Sequence, residues 1–165
     1  MPRILIVTGE ASGDLHGANL SAALRALRPD VDILGVGGPK MRAAGVRLVE
    51  GIERLDVMGM IGLAELRVAL RNYATLARFL RREPFDAVVF VDNPGLNLRL
   101  ARVAKRAGHR VVYYIAPQIW AWRPGRIRLI SRVVDRMIVI LPFEEALYRQ
   151  AGVPCTFVGH PLLDA

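Results

Sequence analysis

The sequence predicts an α/β protein, a Rossmann-like parallel sheet with helices on both faces. Short apolar runs rich in β-branched residues alternate with helical patterns along the whole chain, an order that makes a parallel sheet with right-handed crossovers. The clearest run, Asp86-Ala-Val-Val-Phe-Val-Asp92-Asn-Pro-Gly95, stays apolar until an acid and a Pro-Gly break, as expected of a strand buried on both faces. The 165 residues, 53% hydrophobic and 23% charged, suffice for one domain with a real core.

Arg3–Thr8 is read as the first strand and Gly9-Glu-Ala-Ser-Gly-Asp14 as the turn after it. Ser12 or Asp14 can cap the helix that follows, which runs to about Arg28 with Leu15, Leu20, Ala23, Leu24 and Leu27 on one face. Val31–Val36 is the second strand, Pro39–Ala44 a short helix stopped by Gly45, and Val46–Val49 a weaker third strand. The longest helical pattern spans Leu63–Arg82. At ~100° per residue, Leu66, Ala69, Leu70, Tyr73, Leu76, Ala77 and Leu80 share one side, and Arg67, Arg71, Arg78, Arg81 and Arg82 share the other. Before it, Val57-Met-Gly-Met-Ile-Gly-Leu63 is apolar where a solvated loop is usually polar.

Beyond the Asp92 strand come a helix over Leu96–Ala107, a strand over Arg110–Ile115, and a turn-rich segment, 116–124, holding both tryptophans. A helix over Gly125–Val134, a strand over Arg136–Leu141, a helix over Pro142–Gln150 and a strand over Thr156–Val158 complete the alternation.

The net charge of +8 rests on 21 arginines and two lysines, so the surface should attract phosphate-bearing partners. Nucleic acid is not expected, because the chain lacks a recognition motif and the interleaved aromatic and basic pattern of single-strand binders. The one cysteine, Cys155, excludes an internal disulfide and any multi-cysteine metal site. The apolar run Ile4–Val7 is too short for a signal sequence, and no stretch approaches the ~18 residues of a membrane span. The expected location is the cytosol, or a membrane surface approached from that side.

Several motifs carry candidate chemistry. The first turn lacks the G-x-G-x-x-G fingerprint, and Glu10 would repel a pyrophosphate at a helix N-terminus. Glu10 is not needed for capping, whereas Ser12 and Asp14 read either as caps or as site residues. In an open parallel sheet, ligands collect beyond the carboxyl ends of the strands, so Asp92 is well placed as a general base. The plainer alternative for Asp92-Asn93-Pro94 is an Asx-turn. Trp120 and Trp122, in a Pro-bracketed loop, read either as core or as a wall for a sugar or acyl chain, with Arg123 beside them either to hold phosphate or as part of a solvated face. The arginines of 67–82, joined to the apolar 57–63 stretch, read either as a solvated helix side or as an interfacial element. His16, His109 and His160 lack metal-ligand spacing, and no Walker A loop or Asp-x-Asp site is present.

Gly9-Glu-Ala-Ser-Gly-Asp14, Val57-Met-Gly59, Asp92-Asn-Pro-Gly-Leu-Asn97, Tyr114-Ile-Ala-Pro-Gln-Ile-Trp-Ala-Trp122, Leu141-Pro-Phe-Glu144 and Gly159-His-Pro-Leu162 follow one another in the order and spacing of the lipid-A-disaccharide synthase family, which the whole chain resembles. The resemblance implies an inverting glycosyltransferase of the GT-B type. Residues 1–165 would form its acceptor-binding, membrane-facing domain, and a second domain holding most of the UDP-sugar site is expected after Ala165. This half alone is expected to show little or no turnover.

By the same resemblance, the partners are a UDP-diacylglucosamine donor, a diacylglucosamine 1-phosphate acceptor, the inner face of the bacterial inner membrane, and a second copy in a homodimer of the complete enzyme. No metal and no cofactor are implied. Asp92 becomes the base acting on the acceptor's 6-hydroxyl, with Glu10 beside it. Ser12, Asp14, Asn93, Gln118, Trp120, Trp122 and Arg123 are the implied substrate contacts. Met58, Met60, Ile61, Arg67, Arg71 and Arg78 are the implied membrane-facing residues. Where the family often has an acid three residues beyond its Val-Met-Gly glycine, this chain has Gly62, and the nearest acid, Glu65, is given no catalytic role. The alternative is a non-catalytic module that binds anionic lipid through the arginines of 67–82.

Overall fold

The computed structural model describes residues 2–9, 11–50, 52, 62–92, 94–115 and 126–159. Among the described residues, seven strands form one parallel sheet: β1 (Arg3–Thr8), β2 (Asp32–Val36), β3 (Arg47–Leu48), β4 (Ala87–Val91), β5 (Val111–Tyr114), β6 (Arg136–Val139) and β7 (Cys155–Phe157). Their spatial order is β3-β2-β1-β4-β5-β6-β7. The chain therefore winds outward from β1 to β3, returns across the sheet, and winds outward the other way from β4 to β7.

Right-handed crossovers in opposite directions put helices on opposite faces. Six helices among the described residues follow this rule: α1 (Ala11–Leu27), α2 (Pro39–Ala43), α3 (Leu63–Arg82), α4 (Pro94–Arg106), α5 (Arg126–Val133) and α6 (Pro142–Gln150). Val88, Phe90, Val111 and Tyr113 alternate onto one face, under Leu76 and Leu80 of α3, Leu100 and Ala104 of α4, Ile130 of α5 and Tyr148 of α6. Ile6, Ile33, Val89 and Val91 point to the other, under Ala18 of α1 and Met41 of α2. The predicted fold class is the observed one.

In two helices the buried surface matches the face that periodicity indicates only in part. In α1 the buried positions are Gly13, Asp14, Gly17, Ala18 and Ser21, while Leu27 of the expected face is exposed. Small residues are buried there because the helix crosses at close range: a Cβ on Gly17 would lie 2.7 Å from Met41 Sδ, and one on Gly13 would lie 3.0 Å from Thr8 Cβ.

In α3, Asn72, Leu76, Ala77 and Leu80 are buried, yet Leu63, Leu66 and Leu70 are 79%, 45% and 59% exposed. The reason is length. Twenty helical residues rise about 30 Å, whereas a five-residue strand such as β4 spans roughly 17 Å. Because α3 ends just before β4 begins, its first half extends past the carboxyl edge of the sheet.

Candidate active site

The winding reverses between β1 and β4, the pair aligned at Thr8 and Val91, and in open parallel sheets ligands bind at such a switch point, beyond the carboxyl ends of the strands. Asp92 stands there as the first residue after β4. It is half-buried and adopts φ 48, the left-handed region, which Asp tolerates better than most residues but still at a cost. Three hydrogen bonds hold its backbone. Its N–H donates to the Tyr114 carbonyl at 3.1 Å, and its own carbonyl accepts from Tyr113 Oη at 2.5 Å and from Asn97 Nδ2 at 2.9 Å.

One strand over, the residue after β5 repeats the device. Ile115 has φ 63, a marked outlier for a β-branched side chain, while its N–H still donates to the Ile138 carbonyl at 3.0 Å. Among the described residues, these two are the non-glycine positions with positive φ, and both lie at the carboxyl edge of central strands. Strained backbone of this kind persists where its surroundings over-determine it, commonly at functional sites.

Asp14 requires a correction. It does not cap α1, which begins at Ala11. Its carboxylate, on a residue 7% exposed, accepts from the backbone N–H groups of Gly38 at 2.9 Å, Lys40 at 3.0 Å and Met41 at 3.0 Å. That set caps α2, whose Pro39 has no N–H to satisfy. A Cβ on Gly38 would fall 2.8 Å from Asp14 Oδ2, so a glycine is needed there for the carboxylate to approach. Thr8 is likewise engaged, its hydroxyl donating to the Val36 carbonyl at 2.8 Å and tying the end of β1 to β2.

Arg67, Arg71 and Arg78 are exposed on α3, as expected. Ser12 lies within α1. Glu10, Asn93, Gln118, Trp120, Trp122, Arg123, Met58, Met60 and Ile61 lie outside the described residues. Of the named site residues, Asp14 and Asp92 are both brought to the carboxyl edge, one as a brace and the other at the switch point. Among the described residues, no group of three or more His, Cys, Asp or Glu side chains converges as metal ligands would.

Asn97 and Tyr113, both fully buried, hold the Asp92 carbonyl and are not singled out by the sequence. A signal was present: Asn97 falls on the buried stripe of α4 with Leu100, Ala101 and Ala104, where an unexplained amide asks for a partner.

Residues 4–165 match the family model described as lipid-A-disaccharide synthetase. The chain is 51% identical over 163 residues to the lipid-A-disaccharide synthase of Geobacter metallireducens and 52% identical over 166 residues to that of Syntrophus aciditrophicus. Each alignment covers 98% of this chain and 42% of the relative, so the chain spans less than half the length of these curated proteins. MurG of Acinetobacter baumannii has the same fold, with a TM-score of 0.58 at 13% identity over 98% of this chain and 46% of that one.

Proposed function

Because the chain belongs to the lipid-A-disaccharide synthetase family, we propose that it is the acceptor half of an inverting glycosyltransferase of lipid A biosynthesis. The complete enzyme joins a UDP-diacylglucosamine to diacylglucosamine 1-phosphate. Asp92 accepts the proton of the acceptor's 6-hydroxyl as that oxygen bonds to the anomeric carbon of the donor. The bond to the UDP oxygen breaks with its electron pair, so UDP leaves as a stable anion and the anomeric centre inverts in one displacement. No second carboxylic acid is required to protonate the leaving group, and the general base supplies ~10²–10⁴ in rate.

The observation that carries this reading is the placement of Asp92 at the switch point, in a costly backbone conformation held from three sides. In this reading Glu10, Ser12 and Asn93 surround the reacting groups, and Gln118, Trp120, Trp122 and Arg123 meet the sugar, acyl chains and phosphate. In this reading the carboxylate of Asp14 serves first to brace the start of α2.

The extension of α3 past the carboxyl edge supports peripheral attachment to the inner face of the membrane. Leu63, Leu66 and Leu70 are exposed beside Arg67 and Arg71, apolar groups suited to acyl chains next to guanidinium groups suited to lipid phosphates. No helix among the described residues is long and apolar enough to cross a membrane. The same surface favours a second reading, a non-catalytic module for anionic lipid.

Asp92→Asn in the complete enzyme separates the two. Loss of disaccharide formation by at least 10²-fold, with unchanged co-sedimentation on phosphatidylglycerol vesicles, supports the transferase. Full activity in that variant leaves only the lipid-binding role.

A further inference from the structure

We propose that Tyr113 and Asn97 are positioning residues for Asp92, holding its carbonyl so that its carboxylate is kept at the crevice instead of turning beneath the helices. The proposal rests on the reading of Asp92 as the base. Along β4, Val88 and Phe90 face the layer of α3–α6, and Val89 and Val91 face α1 and α2. Were the strand to continue by one residue, side-chain alternation would send Asp92 to the Phe90 side, among Tyr113 and Leu98. A carboxylate there would lie in an apolar layer, far from any acceptor hydroxyl.

The left-handed turn at φ 48 places the carbonyl on that side in its stead. The carbonyl finds two donors: Tyr113 Oη, rising from β5 on the same face, and Asn97 Nδ2, from the first turns of α4. Tyr113 is itself fixed, fully buried with its ring stacked on Phe90 at 6.3 Å. Asn97 Nδ2 also donates to the Val91 carbonyl at 3.1 Å, so one amide closes both carbonyls left without ladder partners where the strand ends.

Asn97 bears a cost that packing alone does not explain. Its Oδ1 is buried without a hydrogen-bond partner among the described residues, a loss that an apolar side chain on this stripe would avoid. What the asparagine supplies that a leucine could not is the pair of bonds to residues 91 and 92. Because its contacted groups are both carbonyls, the orientation of the amide is fixed, and an aspartate would repel them.

The test uses the complete enzyme with three substitutions, Tyr113→Phe, Asn97→Ser and Asp92→Asn, read by kcat, KM for the acceptor and thermal unfolding. Tyr113→Phe removes only the hydroxyl, and kcat is expected to fall about 10-fold with KM within twofold, since a misplaced base weakens the transition state more than substrate binding. Asn97→Ser is expected to do the same, and serves if the Phe variant does not fold.

Wild-type kcat in the folded fraction of both variants, beside a loss of 10²-fold or more in Asp92→Asn, overturns the positioning role and leaves the base intact. A lowered melting temperature with unchanged kcat also overturns it, as the mark of a merely structural contact. Unchanged kcat in Asp92→Asn overturns the base reading, and the positioning proposal with it.

Discussion

Replacing Asp14 with alanine distinguishes a structural brace from a substrate contact. The residue is 7% exposed, and its two carboxylate oxygens accept from three backbone N–H groups, those of Gly38, Lys40 and Met41. A hydrogen bond to a charged group is worth about 1.5–3 kcal/mol net, and loss of a helix N-cap typically costs ~1 kcal/mol. These terms overlap, and water admitted at the vacated site recovers part of the loss, so about 3 kcal/mol is expected for Asp14→Ala. In a domain of 165 residues each kcal/mol lowers the melting temperature by roughly 2–4 °C, giving a fall of ~6–12 °C by circular dichroism. Asp14→Asn keeps the oxygen that serves Gly38 and Met41 but turns an N–H group toward that of Lys40. It should lose about half as much. A melting temperature within 2 °C of wild type for Asp14→Ala, together with a large rise in KM for the acceptor, would refute the brace and return Asp14 to the substrate site.

Two further outcomes follow from burial. Leu76→Ala, at a fully buried position of α3, is expected to destabilise by ~2–5 kcal/mol, whereas Leu70→Ser, 59% exposed on the same helix, should leave urea unfolding nearly unchanged while weakening vesicle binding. The Cys155 thiol, on a residue 2% exposed, is pushed up to about 11 from its ordinary 9.0, chiefly by burial. Burial beside Glu144 also raises the Tyr148 hydroxyl. A raised pKa means that the folded chain holds the proton longer than the unfolded chain, so this contribution is complete below pH 9 and is lost as pH climbs from about 9 to 11. Urea midpoints should fall over that window, and Cys155→Ala should flatten the fall. An equally steep decline in Cys155→Ala would contradict the assignment.

The alternation of strands and helices, the exact span of β1 and of α3, and the place of Asp92 at a strand end were all legible, because each rests on hydrophobic period and a Gly or Pro stop. The buried side of α1 was legible only in part. Leu20 and Leu24 pack against the core, but Leu27 is exposed and the closest approach, over Thr8 and Met41, is made by Gly13 and Gly17, which scales that reward leucine pass over. In α3 the period was read correctly, but the outer half of the apolar stripe passes beyond the sheet. Periodicity records a helix's own symmetry and not how far its neighbours reach. The partners of Asp14 are hidden for a related reason: residues 38–41 lie beyond the rest of α1 and a strand, and no local pattern couples an acid to amides so distant in sequence. The left-handed turn at Asp92 was equally hidden, since it depends on donors from β5 and α4.

The pH dependence of kcat in the complete enzyme, wild type against Asp92→Asn, bears most directly on the claim that a carboxylate at the end of β4 takes the acceptor's proton. A base must be ionised to act, so the wild-type rate is expected to drop with unit slope on the acid side, and in Asp92→Asn that limb should vanish, leaving a flat residual rate at least 10²-fold lower. An Asp92→Asn enzyme that keeps more than a tenth of wild-type kcat with the acid limb unmoved would place the base elsewhere.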